Sequence, residues 1–274
     1  MSSTESHPSD IRPLSWERHK GKRWQGFRDY NFARTAALVP IAGFELLEVT
    51  MSLPIAFLQK GDGWQCVAVM GLVPGQNLFV GPDGRWLGGY VPGSLRVYPF
   101  AIGRSAENDN QVFCIDESSE LLGDEGGEPL FAEKGELSES AGKVWAFLQS
   151  VSKGETLLAN AAALLAKSGV IEPWPITLQD GEAKRTVEGL HRVSEEKLNQ
   201  LDDMAFLDLR RAGVLALAYG QLFSSVHLKK VGELASAHAN HAAAKKEQEM
   251  KSQSRSNGIG VSDSLNIDWS KIGG

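Results

Sequence analysis

Short apolar runs separated by polar turns fill the chain between residues 53 and 116, and this pattern is typical of antiparallel strands. The clearest case is LPIAFLQ, then Lys60-Gly61-Asp62-Gly63, then WQCVAVMG, because glycine readily adopts the positive φ of a tight connection. A second turn, Gly81-Pro82-Asp83-Gly84, separates NLFV from RWLGGYV, and a polar break at 107–110 separates FAIGR from QVFCID. This half therefore predicts about four to six antiparallel strands.

After residue 135 the apolar period changes from two to about 3.6 residues, which is typical of amphipathic helices. Ser138 is placed as an N-cap and Gly169 as a C-terminal stop, so the sequence predicts helix between them. Gly154 lies inside this span and leaves open whether it is one bent helix or two helices.

The remaining sequence predicts another hairpin within 176–193, a short helix capped by Ser194, and a long helix whose apolar face runs from Met204 to Val226. Beyond Leu234 the helical sequence becomes polar and charged. From about residue 252 the composition is that of a flexible tail.

Together these patterns predict an α+β fold, in which an antiparallel sheet from the N-terminal half, open or partly closed, is covered by helices from the C-terminal half. We expect residues 1–35 to form a basic and aromatic arm, residues 36–250 a single α+β domain, and residues 251–274 a flexible tail. Apolar residues at 42% and charged residues at 23% are ordinary for a folded globular protein.

The formal net charge of −6 disfavours broad contact with nucleic acid, because such surfaces are basic. No apolar stretch reaches the roughly 18 residues of a membrane helix, so no membrane span is expected. The N-terminus has acid and proline where a cleaved leader would be basic and then apolar. Cys66 and Cys114 lie in apolar runs and are expected to be reduced and buried. We expect a cytoplasmic protein, and leaderless export through a C-terminal signal stays open.

A long and specific segment is GLVPGQNLFVGPDGRWLGGYVPGSLRVYPF at 71–100. Shorter segments accompany it: Val39-Pro40-Ile41, Phe44-Glu45, LPIAF at 53–57, CIDE at 114–117, EPLF at 128–131, GLHRVSEEKL at 189–198 and LALAYGQLFS at 215–224. Together they resemble the SapC family of bacterial proteins, which is named for association with a paracrystalline surface layer, and the resemblance covers roughly residues 14–235.

The resemblance implies a non-enzymatic accessory protein that acts in the cytoplasm on surface-layer or exported proteins. The sequence contains no P-loop, dinucleotide fingerprint, nucleophile elbow or zincin helix, so the common catalytic classes are disfavoured and no catalytic residue is assigned. The alternative is an enzyme that acts on a small molecule or peptide in a cleft near Trp86, Tyr90 and Asp116. An enzyme should show a concave pocket with converging polar groups, whereas an accessory protein should expose an apolar patch.

Aromatic and guanidinium side chains concentrate in the 71–100 block, among glycines and prolines. Such side chains dominate recognition surfaces because they supply contact area and directed hydrogen bonds. We predict that they bind a protein partner or a small-molecule ligand, with the block in the main sheet and Trp86 or Tyr98 lining an exposed groove. The alternative is that these two rings only pack sheet against helices. The candidate residues are Arg85, Trp86, Tyr90, Arg96 and Tyr98.

Two more candidates for ligand or partner binding are His19 and Asp116. His19 lies within the family-like sequence, where the alternative is a structural hydrogen bond, and Asp116 follows a predicted strand and could point into a cleft. The acidic loop that begins at Asp116 matches no calcium motif, and the helical pair His238 and His241 lacks a third ligand. We therefore expect no metal and no cofactor.

Basic residues alternate with aromatic residues in the N-terminal arm, a pattern that could stack nucleic-acid bases or meet an acidic partner. Because the whole chain is acidic and this segment resembles the family, we predict that the arm packs on its own domain and binds no nucleic acid. The residues concerned are Arg12, Arg18, Lys20, Lys22, Arg23, Arg28 and Arg34, with Trp16, Trp24, Phe27, Tyr30 and Phe32.

An apolar island, LNIDW, follows the polar and serine-rich sequence near the C-terminus. Leu265, Ile267 and Trp269 alternate as the anchors of a short docking peptide do when it adds as a strand to a partner. An uncleaved export signal and a terminus without a role are the alternatives.

Overall fold

The computed structural model describes residues 9–105, 107–180 and 183–257. Antiparallel sheets are combined with helices, so the predicted α+β class is confirmed. The chain divides into two compact units between Val231 and Gly232, and the sheets of the described residues lie in the first unit. No helix in the described ranges is long and apolar enough to cross a membrane.

Most of the strands are short, and they are numbered here in chain order. They are β1 Ile11–Pro13, β2 Arg23–Trp24, β3 Leu38–Pro40, β4 Ile55–Lys60, β5 Gly63–Val69, β6 Phe100–Arg104, β7 Gln111–Asp116, β8 Leu122–Gly123, β9 Glu128–Pro129, β10 Ile171–Pro173, β11 Ile176–Asp180, β12 Ala183–Val187 and β13 Leu190–Val193.

Two of the α-helices are far longer than the rest. The helices are α1 Trp16–His19, α2 Leu46–Thr50, α3 Glu139–Lys167, α4 Glu195–Asn199, α5 Asp203–Arg211, α6 Leu215–Ser224 and α7 Leu228–Asn257.

The largest sheet has the order β10-β13-β4-β5-β3, with every neighbouring pair antiparallel. Its centre is the predicted hairpin of β4 and β5, in which Lys60 pairs with Gly63 and Gly61 has φ +57°. Ala56 and Val67 from these strands are buried with Trp174 in one apolar cluster. The hairpin prediction is confirmed. Helices α3 and α6 pack against this sheet.

The N-terminal segment, residues 9–35, supplies strands to two smaller sheets. β1 pairs with β7 at the edge of the β6–β7 hairpin, and β2 lies between β8 and β9. Behind these sheets Phe100, Ile115 and Leu130 form a second apolar cluster with α3 residues, including Leu148. The N-terminal segment therefore contributes backbone hydrogen bonds to the sheets.

Helix α3 is continuous from Glu139 to Lys167 and packs on β5. Ser138 caps it as predicted, because its hydroxyl oxygen accepts the Ala141 N–H at 3.1 Å. Gly154 does not break the helix. A Cβ at Gly154 would lie 2.7 Å from the Cβ of Ala42, so the glycine is needed for close approach.

The prediction that the 71–100 block joins the main sheet is wrong. Only its last residue, Phe100, belongs to a strand, and Val80 and Trp86 form an isolated bridge across the predicted turn. The turn itself is present, with Gly84 at φ +84° and its N–H 2.9 Å from the Gly81 carbonyl. The frequent glycines and prolines of the block supply too few ladder donors and too little side-chain packing for strands.

The prediction of one long helix from Met204 to Val226 is also wrong. Helix α5 ends at Arg211, Gly213 adopts φ +72°, and α6 begins at Leu215. The left-handed glycine reverses the chain, and its N–H bonds back to the Arg210 carbonyl at 3.1 Å. Gly213 therefore ends a helix, although the apolar residues before and after it keep a helical spacing.

Candidate functional site

Backbone contacts join the Gly81–Gly84 turn to the N-terminal segment. The Tyr30 N–H donates to the Gly84 carbonyl at 2.8 Å, and the Arg34 guanidinium donates to the Pro82 carbonyl at 2.9 Å. A Cβ on Gly84 would lie 2.9 Å from a side-chain carbon of the N-terminal segment. Glycine therefore permits both the positive φ and the close approach.

This docking assembles aromatic rings from both segments into one half-buried surface, which we call the aromatic cluster. Tyr30 and Trp86 have ring centroids 5.3 Å apart, and Phe32 stacks on Tyr98 at 4.2 Å with an interplanar angle of 4°. Each residue of the cluster is partly exposed to solvent. The aromatic cluster consists of Phe27, Tyr30, Phe32, Trp86 and Tyr98.

Trp86 is held in the aromatic cluster by a stacking contact and a hydrogen bond. One face stacks on the buried Phe79 with centroids 5.8 Å apart, and the indole Nε1–H donates to the Tyr90 carbonyl at 2.8 Å. Arg85 beside it is exposed and paired with Asp83 at 3.1 Å. The indole is thus held by packing and by its own hydrogen bond, as a recognition anchor requires.

Asp116 lies under the other end of the cluster and is almost fully buried. Its Oδ1 accepts from the Asp10 N–H at 3.0 Å and from the Ser118 hydroxyl at 2.6 Å, and Tyr98 donates to Oδ2 at 3.4 Å. Burial raises the pKa of the Tyr98 hydroxyl, against a smaller opposing effect of a hydrogen bond with Ser119. The carboxylate therefore fixes the N-terminal segment and the Tyr98 ring in place.

A buried carboxylate that the sequence did not single out, Glu45, organises the other half of the block. Its Oε1 accepts from the Ala42 N–H at 2.9 Å, while Oε2 accepts from the Gly93 N–H at 2.7 Å and the Tyr90 hydroxyl at 2.9 Å. Arg96 lies 3.9 Å from the same oxygen. We call these five residues the Glu45 clamp, because they join the 90–96 loop to the start of α2.

Within the clamp, Arg96 is partly exposed and lies over two rings. Its guanidinium carbon is 5.5 Å from the Tyr90 centroid and 5.1 Å from the Phe147 centroid, and it donates to the Tyr90 hydroxyl at 3.1 Å. Burial, followed by the charge of Glu45, raises the pKa of Tyr90 to about 12. Tyr90 is therefore a neutral donor to Glu45 across the physiological range.

The carboxylate of Glu45 also acts electrostatically on Glu155 of α3. Burial, followed by repulsion from Glu45, raises the pKa of Glu155 to about 6, against a smaller opposing effect of Lys60. Because the folded state binds this proton more tightly than the unfolded chain does, stability falls as pH rises from about 4.5 through 6.

A Glu155→Gln variant should therefore be more stable than the wild type at pH 7, by about 1 kcal/mol, and lose that advantage near pH 4. Urea unfolding at both pH values measures this. Glu133→Gln, at an exposed position, controls for the loss of one negative charge. An equal gain at pH 4 and pH 7 would contradict the assignment.

His19 is 2% exposed and makes structural hydrogen bonds. Its Nδ1 lies 3.2 Å from the Ser15 nitrogen and 3.1 Å from the Ser15 carbonyl oxygen, and its Nε2 is hydrogen-bonded to Glu117 at 3.0 Å. Glu117 is also held by two nitrogens of Arg18, and hydrogen bonding from that guanidinium lowers the pKa of Glu117. His19 therefore has hydrogen-bond partners within the fold through both ring nitrogens.

A second set of large apolar side chains is exposed to solvent on neighbouring elements, and we call this set the apolar face. Its members are between 50% and 71% exposed. They come from α2 and the turn before it, from α3, and from α6 and the turn after it, and these elements pack against one another. The apolar face consists of Phe44, Leu47, Met51, Leu157, Phe223 and Val226.

Small residues and one histidine bring the elements of the apolar face together. A Cβ on Gly220 of α6 would lie 3.0 Å from the Thr50 hydroxyl of α2, and His227 bonds the Thr50 carbonyl through Nε2 at 3.0 Å. A Cβ on Gly43 would lie 3.2 Å from a methyl group of Leu157. The backbone beneath the apolar face is therefore closely packed, whereas the side chains of the apolar face are exposed to solvent.

The structure brings most of the predicted block residues into one connected site. Trp86 and Tyr98 share the aromatic cluster, Tyr90 and Arg96 belong to the Glu45 clamp, and the Trp86–Tyr90 hydrogen bond links the two. Asp116 is connected through Tyr98, whereas His19 is bound to Glu117 instead. The predicted tail anchors Leu265, Ile267 and Trp269 lie outside the described residues.

Sequence reasoning missed Glu45, Phe147 and the whole apolar face. Phe44-Glu45 was visible only as part of the family resemblance, since a lone glutamate before a short helix has no chemical signature. Leu47 and Met51 have the spacing of residues that face a helix core, so periodicity could not show that they are exposed.

The SapC family model matches residues 14–231, which include the aromatic cluster, the Glu45 clamp and the apolar face. A search of curated proteins and a search of solved structures each gave no match.

Proposed function

This chain belongs to the SapC family, and we propose that it is a non-enzymatic accessory protein that binds surface-layer or exported proteins in the cytoplasm. The apolar face is the observation that carries the proposal. Six large side chains that are half or more exposed on adjoining elements leave apolar area in water, and such area favours a protein partner. The partner segment that fits it is apolar, such as a stretch of an exported chain that has not yet folded.

The chemistry around the 71–100 block supports binding over catalysis. Asp116 accepts hydrogen bonds from a backbone amide and a serine, Tyr90 donates to Glu45, and Trp86 donates to a carbonyl. Since these polar atoms already have partners in the fold, the exposed ring surfaces of the aromatic cluster are what remains for a ligand. Aromatic rings beside arginines are the residues that dominate protein-binding energy.

A photo-crosslinking amino acid placed at Leu47 tests the proposal in the native host. Leu47 is 71% exposed, so the change should alter stability by no more than about 0.5 kcal/mol. We expect crosslinks to surface-layer or exported proteins in the cytoplasmic fraction. Adding Met51→Lys, which puts a charge into the same face, should abolish them.

The matched control carries the crosslinker at Lys143, an exposed position of α3 outside the apolar face. The proposal fails if both positions capture the same proteins, if Leu47 captures none, or if the captured proteins carry no export signal.

A further inference from the structure

A groove lies between α4, α5 and α6, and it belongs neither to the aromatic cluster nor to the Glu45 clamp. It has a volume of about 460 Å³, is open to solvent, and is lined by polar residues together with the apolar or aromatic Leu198, Phe206, Leu207 and Tyr219. This volume is within the range in which proteins hold side chains or ligands of a partner. Tyr219 stacks on Phe223, with centroids 6.2 Å apart, so the groove adjoins the apolar face.

Two opposite charges from α5 also line the groove, Asp203 and Arg210. They lie at the two ends of the helix face that carries Phe206 and Leu207, about 10 Å apart along the axis at 1.5 Å per residue. Within the ranges that the structure describes, neither has an ion-pair partner, whereas the neighbouring Arg211 is paired with Asp208 at 3.8 Å. Both charges are therefore available to a ligand.

Going beyond the proposed function, we propose that this groove binds an amphipathic helix of a partner protein that runs antiparallel to α5. The helix places an acidic residue against Arg210, two apolar residues against Phe206 and Leu207, and a basic residue against Asp203. Since the protein's own charges are seven residues apart on a helix, the partner's charges need the same spacing, with apolar positions three and four residues after the acidic one.

The charges of α5, taken together with the partner's own helix dipole, favour the antiparallel direction. Arg210 is in the last turn of α5 and Asp203 in its first, so each opposes the partial charge of its own helix end. An antiparallel partner has its N-terminal end beside Arg210 and its C-terminal end beside Asp203. Its acidic residue then lies toward its own N-terminus and its basic residue toward its C-terminus, which also suits the partner's dipole.

Two labelled, end-capped alanine-based peptides of about 18 residues, long enough to be helical, test the proposal by fluorescence anisotropy with the full-length protein. The first has Glu, two Leu and Lys in the order given above. The second has the same composition with Glu and Lys exchanged. We expect the wild type to bind the first peptide about tenfold more tightly than the second.

The Asp203→Asn/Arg210→Gln variant should lose this discrimination, and it avoids the helix-dipole penalty of full charge reversal. Arg211→Gln, one residue away and paired within α5, is the matched control and should keep it. Circular dichroism and melting temperature confirm that each variant is folded.

Three outcomes would overturn the proposal: equal affinity of the wild type for both peptides, no binding of either peptide, or retained discrimination in the double variant. Crosslinking at Leu47 reports on the apolar face separately, so the two proposals can fail independently.

Discussion

A Glu45→Ala variant is expected to lose about 2–6 kcal/mol of unfolding free energy, because buried backbone N–H groups lose their acceptor. Glu45 is 1% exposed, and its two oxygens accept from two backbone N–H groups and the Tyr90 hydroxyl. Without the carboxylate, the Ala42 and Gly93 N–H groups lose their acceptor in a buried place, and each costs about 1–3 kcal/mol when unsatisfied.

The measurement is urea unfolding of Glu45→Ala beside Glu48→Ala. Glu48 is on the same short stretch but exposed, so its replacement should change stability by no more than about 0.5 kcal/mol. Glu45→Gln should fall between them, since its amide oxygen replaces one acceptor and its NH₂ group cannot accept. A loss below about 1 kcal/mol in Glu45→Ala would show that the clamp is not a stabilising network.

The Glu45 clamp also connects the two surfaces on which the proposed function depends. Through Tyr90 it supports the carbonyl that holds the Trp86 indole, and through Ala42 it fixes the entry to α2, which carries Leu47. One buried side chain therefore positions both the aromatic cluster and the apolar face. A destabilised clamp should loosen both surfaces together.

Local signals predicted the local parts of this structure well. The Lys60–Gly63 hairpin and the Ser138 cap were predictable because their chemistry acts over a few residues. At Gly213 the local signal was present, a glycine able to adopt positive φ, but the apolar periodicity on either side outweighed it. The left-handed glycine ended the helix nevertheless.

The candidate site was predictable in composition and not in arrangement. Trp86 and Tyr98 stood out in the sequence as candidate recognition residues, but their cluster depends on Tyr30 and Phe32, which the chain places more than fifty residues earlier. Glu45 reaches Gly93 across 48 residues. Sequence patterns describe neighbouring residues, so they do not predict hydrogen bonds between distant residues. They also do not distinguish an exposed apolar stripe from a buried one.

The close approach at Gly71 gives the other large expected effect. The φ of Gly71 lies outside the left-handed region, so conformation alone would allow alanine, but an added Cβ would lie 2.0 Å from the Gln76 carbonyl oxygen. Backbone atoms cannot move aside as the tip of a side chain can, so Gly71→Ala should lower the free energy of unfolding by about 3 kcal/mol and displace the start of the 71–100 block.

Gly142→Ala is the control, because a Cβ in that position of α3 meets nothing within 4 Å. The control should gain about 0.5–1 kcal/mol from helix propensity. Calorimetric melting of the two variants checks both signs, and a Gly71→Ala protein as stable as wild type would contradict the tight turn between Gly71 and Gln76.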